Sequence, residues 1–350
     1  MKIVIAIDSY KGSATSLELG LAAGKAVEEV LPDAEAKIFE IADGGEGTIS
    51  TLQHELGGEL ISVETIDLLE RPIEAKYLLL GELAVIESAT VVGIDKIIPS
   101  PESIQKASSF GLAALIIDAI SHQVREIYLT LGGTGSSDGG LGLLEGLGVD
   151  LNDFSNLPDL PKLTALADVT NPYAGEMGYA HFFGKQKGAT ADIIEAQDEQ
   201  AMMIVKKVRK SLNIDLQSIL GTGAAGGIGG AIAILGGTIE AGFPKIAGLL
   251  NIEAEIASAD LVITGEGRMD AQTANGKVPW GMAQLAAKYK VPTLAICGAL
   301  ADDLGKMNEV LAGAYSIQTR PISYEAAIEN KRTLENVTRL CKNLLKTWRA

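Results

Sequence analysis

MKIVIAIDSYKGS, residues 1–13, joins an unbroken apolar run to a turn that holds Asp8, Lys11 and Gly12. Ile3, Val4, Ile5, Ala6 and Ile7 show no alternation of apolar and polar residues, which suits a parallel strand covered on both faces. The same order of strand, turn and helix recurs from the runs at 37–41, 261–264, 293–297 and 314–317. Helix-period segments lie at 16–30, 47–56 and 279–289. This alternation predicts an α/β protein with a Rossmann-like, doubly wound parallel sheet. Five strands suit the flavodoxin-like order 2-1-3-4-5.

Residues 42–260 separate the second run from the third, so a large inserted domain of mixed α/β type is expected there. It opens with runs at 59–65, 74–80 and 84–88, too close together for intervening helices and therefore antiparallel. Helical segments follow at 101–121 and 192–212. The expected division gives residues 1–58 and 252–350 to the parallel-sheet domain and 59–251 to the inserted one. The chain would cross near Gly58 and Asn251, with an active site in the cleft between the domains.

A net charge of −16 argues against nucleic acid as a partner, because phosphate backbones are bound by an excess of Lys and Arg. Any anionic substrate must meet a few well-placed bases. Cys297 and Cys341 are the only cysteines and form neither a CxxC motif nor a disulfide framework. His54, His122 and His181 are scattered and give no metal signature. No apolar run reaches the roughly 18 residues that span a membrane. The opening residues are charged too soon for a signal peptide, which makes the cytoplasm the expected compartment. The composition suits a monomer or a homodimer.

In open parallel sheets, ligands bind beyond the carboxyl ends of the strands. The turns there are DSYKGS (8–13), ADGGEGT (42–48), GEGRMD (265–270) and Gly298. A structural turn needs glycine or Asp, but not Asp8, Asp43, Glu46 and Asp270 together with Lys11 and Arg268 on one edge. Taken singly, Asp and Ser also cap helices. Ser9, Gly44, Gly45, Gly265 and Gly267 complete this set as candidates for holding substrate or phosphate.

The inserted segment has its own glycine loops. GGTGSSDGG (132–140) follows a strand expected at 126–131 and offers Gly132, Gly133, Ser136 and Asp138. GTGAAGG (221–227) opens an apolar segment that runs to Leu235. Residues 221–226 spell GxGxxG, but the preceding residues read as a helix ending near Leu220, so a dinucleotide site is not expected. Gly223 then serves either a phosphate loop or close helix packing. DVTNP (168–172) carries Asn171, and FGKQKGA (183–189) carries Lys185 and Lys187, which form either a solvated loop or an anion contact. No Walker A motif occurs. Together these groups suit phosphoryl transfer, which needs Mg²⁺ held by carboxylates, phosphates cradled by N–H groups and cations, and a carboxylate to take the attacking hydroxyl's proton.

With these blocks in this order, from Lys2 to about Pro321, the chain resembles the bacterial glycerate kinases of type I. The carrying residues are DSYKGS, ADGGEGT, GGTGSSDGG, DVTNP with FGKQKGA, GAAGG (223–227) and TGEGRMDAQTANGKVPWGMA (264–283). Tyr10 stands where Phe is usual, and Lys185 where Pro is usual. The resemblance implies two domains, ATP, Mg²⁺ and D-glycerate. The expected activity is transfer of the ATP γ-phosphoryl group to a glycerate hydroxyl, giving phosphoglycerate and ADP, with 2-phosphoglycerate favoured. A kinase for another small hydroxy acid, or a non-catalytic glycerate or nucleotide sensor, is the alternative. Asp43 is the first choice for general base and Asp8 its competitor. Lys11 and Arg268 are expected to bind the substrate carboxylate or the transferring phosphoryl group. Asp138, Asp270 and Glu46 are assigned to Mg²⁺.

Overall fold

A computed structural model describes residues 1–45 and 47–349. Its strands are β1 (Lys2–Ile7), β2 (Glu35–Ile38), β3 (Glu59–Ile66), β4 (Pro72–Leu80), β5 (Leu83–Glu87), β6 (Glu126–Thr130), β7 (Lys162–Leu166), β8 (Thr238–Glu240), β9 (Leu261–Gly265), β10 (Arg268–Met269), β11 (Thr293–Cys297), β12 (Ala299–Leu300) and β13 (Gly313–Ser316). Contacts divide the chain into two compact units, one of residues 1–43 and 243–350, the other of residues 44–242. The changes of unit therefore fall upstream of Gly58 and Asn251. The reason at the first is the helix Thr48–Leu56, which packs on β4 and β5. Its Ile49 N–H donates to the Glu87 carboxylate at 2.7 Å.

The first unit is an α/β layer structure. Its sheet has the order β2-β1-β9-β11-β13, and every neighbouring pair is parallel. Both faces are covered, which is why β1, β9 and β11 carry continuous apolar runs. Ile3, Ile5, Ile7, Leu294 and Ile296 pack on one face with Leu19, Ala23 and Val27 of helix Ser16–Val30 and with Val337, Cys341 and Leu345 near the C-terminus. Ala295 and Cys297 point the other way, into a cluster with Met269, Met307 and Trp280. Thr15 starts helix Ser16–Val30 with a capping box: the Glu18 N–H donates to its hydroxyl oxygen, and its own N–H donates to the Glu18 carboxylate.

The second strand departs from expectation. It occupies Glu35–Ile38, not 37–41. Ladder pairing with β1 runs from Lys2↔Glu35 to Ile5↔Ile38. Beyond it the chain leaves the sheet, and the Ile41 N–H donates to the Ser16 hydroxyl at 2.9 Å instead of to a strand.

The second unit is a six-stranded sheet in the order β3-β4-β5-β6-β7-β8. Its first two junctions are antiparallel and the remaining three parallel. Tyr77, Phe154, Tyr173 and Tyr179 are fully buried or nearly so in its core. Two helical expectations need correction. The segment 101–121 is two helices, Pro101–Lys106 and Leu112–Ser121. Between them the Ser108 N–H donates to the Leu68 carbonyl, and Ser109 turns to Asp138. The helix expected at 192–212 is found at Ala191–Leu212, closed by Asn213 in the left-handed conformation (φ 56°), but the further helical segment expected to end near Leu220 is absent: residues 216–220 form turns.

Candidate active site

In the first unit the carboxyl ends of the parallel strands share one edge, and the ionisable turns collect there. Asp8 follows β1; its N–H donates to the Gly265 carbonyl at 2.9 Å, and its Oδ1 accepts the Ser9 N–H at 2.7 Å. Burial, then the charges of Asp43 and Glu266, push the Asp8 carboxyl up to about 7, with the Ser9 N–H and then Lys11 opposing. Glu266 follows β9 and is buried. It accepts the Thr273 hydroxyl at 2.5 Å on Oε1 and the Lys277 ammonium at 3.0 Å on Oε2. For Lys277, burial works against its charge, but Glu266, Asp270 and Asp43 outweigh it and raise its proton affinity. Asp270 caps the 3₁₀ turn Ala271–Asn275, its Oδ1 accepting the Gln272 N–H at 2.9 Å. Arg268 lies exposed on β10, which pairs with β12, and Lys11 lies exposed in the turn closed by Tyr10 and Ala14. Tyr10 anchors that turn: its buried hydroxyl donates to the Ile296 carbonyl at 2.8 Å.

Gly265, a candidate for substrate contact, has a packing reason to be glycine. A Cβ there would lie 1.7 Å from the Ile296 carbonyl oxygen, with backbone on the far side of the ladder that cannot step aside. Gly265→Ala is expected to cost about 3 kcal/mol or more, the upper end for overpacked sites, read as a fall in urea midpoint at unchanged slope. Wild-type stability would show that the strands have room.

In the second unit the loop 132–140 is held from three sides. Asp138 accepts the Ser109 N–H at 2.7 Å, the Ser109 hydroxyl at 2.8 Å, the Gly140 N–H at 3.0 Å and the Gly142 N–H at 3.2 Å. Lys187 is buried, and its ammonium donates to the Ser136 carbonyl at 2.5 Å and lies 3.4 Å from the Thr134 hydroxyl oxygen. Burial lowers the Lys187 ammonium to about 8, against the pull of Asp138. On the third side, residues 225–227 pack backbone to backbone with the loop: the Gly139 N–H donates to the Gly226 carbonyl at 2.9 Å. Gly227 has φ 96°, and a Cβ on it would sit 2.4 Å from the Gly139 Cα. The Ser136 hydroxyl is buried with no hydrogen-bond partner.

The profile of the Glycerate kinase family matches residues 3–160 and 156–349. A glycerate kinase of Halalkalibacterium halodurans is 35% identical, covering 95% of this chain and 94% of its own. A glycerate 2-kinase of Escherichia coli K12 is 32% identical, covering 99% and 98%. A crystal structure of a protein assigned as glycerate kinase 2, from Salmonella typhimurium LT2, superposes with a TM-score of 0.85 at 34% identity, covering 100% and 98%. The chain belongs to the glycerate kinase family.

Of the residues expected from the sequence, the structure brings Asp8, Lys11, Asp43 and Asp270 into one electrostatic neighbourhood in the first unit of this family member. Glu266 and Lys277 join them, and the sequence did not single them out as site residues. The available signal was a carboxylate placed directly after the buried strand run 261–264. Ser9 and Gly267 lie on the same turns. In the second unit, Gly132, Gly133, Ser136, Asp138, Lys187 and Gly223 lie on the interlocked loops. Lys187 is neither in a solvated loop nor, by its contacts, committed to an anion; it ties the 132–140 loop through Ser136. Lys185 is exposed. Asn171 and Gly223 serve packing: the Asn171 amide donates to the Met177 carbonyl at 2.8 Å, and the Gly223 N–H donates to the Asn171 carbonyl at 3.0 Å. Gly44 has φ 88°, and a Cβ there would come within 2.7 Å of the Gly242 Cα. The Gly45 carbonyl accepts the Thr48 hydroxyl. Glu46 lies outside the described residues. Among the described residues, no group of three or more His, Cys, Asp or Glu side chains gathers as a metal cage. No helix among them is long and apolar enough to cross a membrane.

Proposed function

We propose that this chain is an ATP-dependent glycerate kinase, transferring the γ-phosphoryl group of ATP to a hydroxyl of D-glycerate and releasing ADP. The observation that carries the reading is the match to the glycerate kinase family over nearly the whole chain, and Asp8, buried at the carboxyl edge of the parallel sheet beside Asp43 and Glu266 and pushed up to about 7, suits the base such a reaction needs. A general base works best with a pKa near the operating pH. Asp8 takes the role first given to Asp43, and Asp43 is assigned to keep Asp8 basic by its charge. In the proposed step the glycerate oxygen bonds to phosphorus, the bond from phosphorus to the ADP oxygen breaks, and the hydroxyl proton passes to Asp8. Lys11 and Arg268 bind the substrate carboxylate.

Mg²⁺ fits the donor set, since the first unit offers hard carboxylate oxygens and Mg²⁺ takes only one or two of these beside phosphates and water. Asp270 is the residue assigned to it. The ion would neutralise charge on the phosphate oxygens. Asp138, with four donors already on it, is assigned to hold its loop. The 2-hydroxyl is the favoured acceptor, supported by the relative named glycerate 2-kinase. The first unit, with its order β2-β1-β9-β11-β13, is proposed as a flavodoxin-like doubly wound domain interrupted by the second unit, and the enzyme as cytoplasmic.

A coupled ADP-release assay with D-glycerate, L-glycerate, lactate and tartronate tests the reading. D-glycerate is expected to give the highest kcat/KM. A higher value for another hydroxy acid would move the substrate, and ADP release with none would leave a binding protein.

A further inference from the structure

Lys277 has no role in the step above, yet it is the cation most firmly placed in the carboxylate neighbourhood of the first unit. Its ammonium lies 3.0 Å from Glu266 Oε2, and the Glu266 side chain is only 7% exposed against 38% for Lys277. The Thr273 hydroxyl fixes the other Glu266 oxygen at 2.5 Å, so the carboxylate that aims Lys277 cannot swing. Glu266 directly follows Gly265, whose carbonyl accepts the Asp8 N–H at 2.9 Å, so the ammonium that Glu266 holds sits at the same sheet edge as Asp8. Lys277 also precedes the helix Val278–Lys288, whose N-terminal dipole adds positive potential there. A lysine needed only to neutralise Glu266 would be served by that one contact. This one keeps more than a third of its side chain open beside carboxylates that repel a phosphate, where a phosphoryl group arriving next to Asp8 needs a cation.

We propose that Lys277 is a further catalytic residue, its ammonium contacting the transferring phosphoryl group, and that Glu266 is the positioning residue that aims it. The proposal rests on the phosphoryl-transfer reading of the site. Lys277 donates to phosphoryl oxygens as charge develops on them, while Glu266 touches no substrate.

Three variants and two readouts test this: Lys277→Met, Glu266→Gln and the double variant, each assayed for turnover of D-glycerate and for thermal protection by MgATP compared with MgADP. Lys277→Met is expected to lose about 10²- to 10³-fold in kcat, as for removal of a transition-state charge contact, with KM for glycerate little changed. It also leaves Glu266 buried and unpaired, so some loss of stability is expected in the single variant. The double variant relieves that: melting temperature should recover while kcat stays low. Recovery of kcat in the double variant would reduce Lys277 to a structural counter-ion and overturn the proposal, as would wild-type kcat in Lys277→Met. The protection readout separates the two levels. If wild type does not turn over glycerate but is protected more by ATP than by ADP, and Lys277→Met loses that difference, the glycerate reading fails and the phosphoryl contact stands. If the difference persists in Lys277→Met while wild type turns over glycerate, the contact fails and the kinase reading stands.

Discussion

Asp8→Asn is expected to lower turnover about 10²- to 10⁴-fold, the range for removal of a general base, while making the protein more stable at alkaline pH. The two effects share one cause. The Asp8 carboxyl stands at about 7 in the folded chain against 3.8 for the ordinary residue, because it is buried and faces Asp43 and Glu266. Its folded pKa is raised, so between these values the folded state binds more protons than the unfolded one. Stability from this group is present at the acid end of the window and is lost as pH rises through about 7. Catalysis runs the other way, since only the ionised carboxylate accepts a proton, and kcat/KM should rise through the same pH and level off above it. Asn keeps the Oδ1 that accepts the Ser9 N–H, so the turn survives the change. Melting temperatures and pH–rate profiles of wild type and Asp8→Asn check both halves. An unchanged acid limb in the variant would place the base elsewhere, and a larger loss in Asp43→Asn would place it at Asp43.

Asp138→Ala is expected to unfold the second unit's loop region by removing one acceptor shared by four donors. The Ser109 N–H and hydroxyl and the N–H groups of Gly140 and Gly142 would all lose their partner. Buried donors left unmade cost about 1–3 kcal/mol each where water cannot reach them; water entering the space vacated by the carboxylate re-pairs some of the four, so a total loss of about 3–5 kcal/mol is the expectation, at the high end for single substitutions. Urea unfolding measures it directly. Asp138→Asn keeps one acceptor oxygen and should fall between. Activity that survives should need no more Mg²⁺ than wild type. A variant as stable as wild type but with a raised Mg²⁺ requirement would return Asp138 to the metal.

The difference between these two aspartates was not legible in the sequence. Both sit in glycine-bearing turns after apolar runs, and nothing local says that Asp8 will be buried beside two like charges while Asp138 will be saturated by donors. The Asp138 donors include Ser109, 29 residues earlier, at a helix break that apolar periodicity over 101–121 conceals. Glu266 and Lys277 were missed for a related reason: the pair is made by the Asp270-capped turn between them, not by spacing on one element. What local chemistry controls was legible. Ser16–Val30 carries its own capping box and apolar stripe, and β1 and β11 declare themselves by runs that only a sheet covered on both faces would bury. β7 and β8 did not, because KLTAL and TIE are too short to show a period and are fixed as strands by their partners. The shifted end of β2 has the same origin, since the apolar Phe39 and Ile41 continue the pattern after the ladder has stopped.

The most direct measurement is ³¹P NMR of the purified protein with MgATP and D-glycerate. Stoichiometric conversion of the ATP resonances to those of ADP and a phosphomonoester at the shift of 2-phosphoglycerate is expected. A 3-phosphoglycerate signal would contradict the assigned hydroxyl, and ATP left intact, or converted to ADP and inorganic phosphate alone, would contradict glycerate phosphorylation itself.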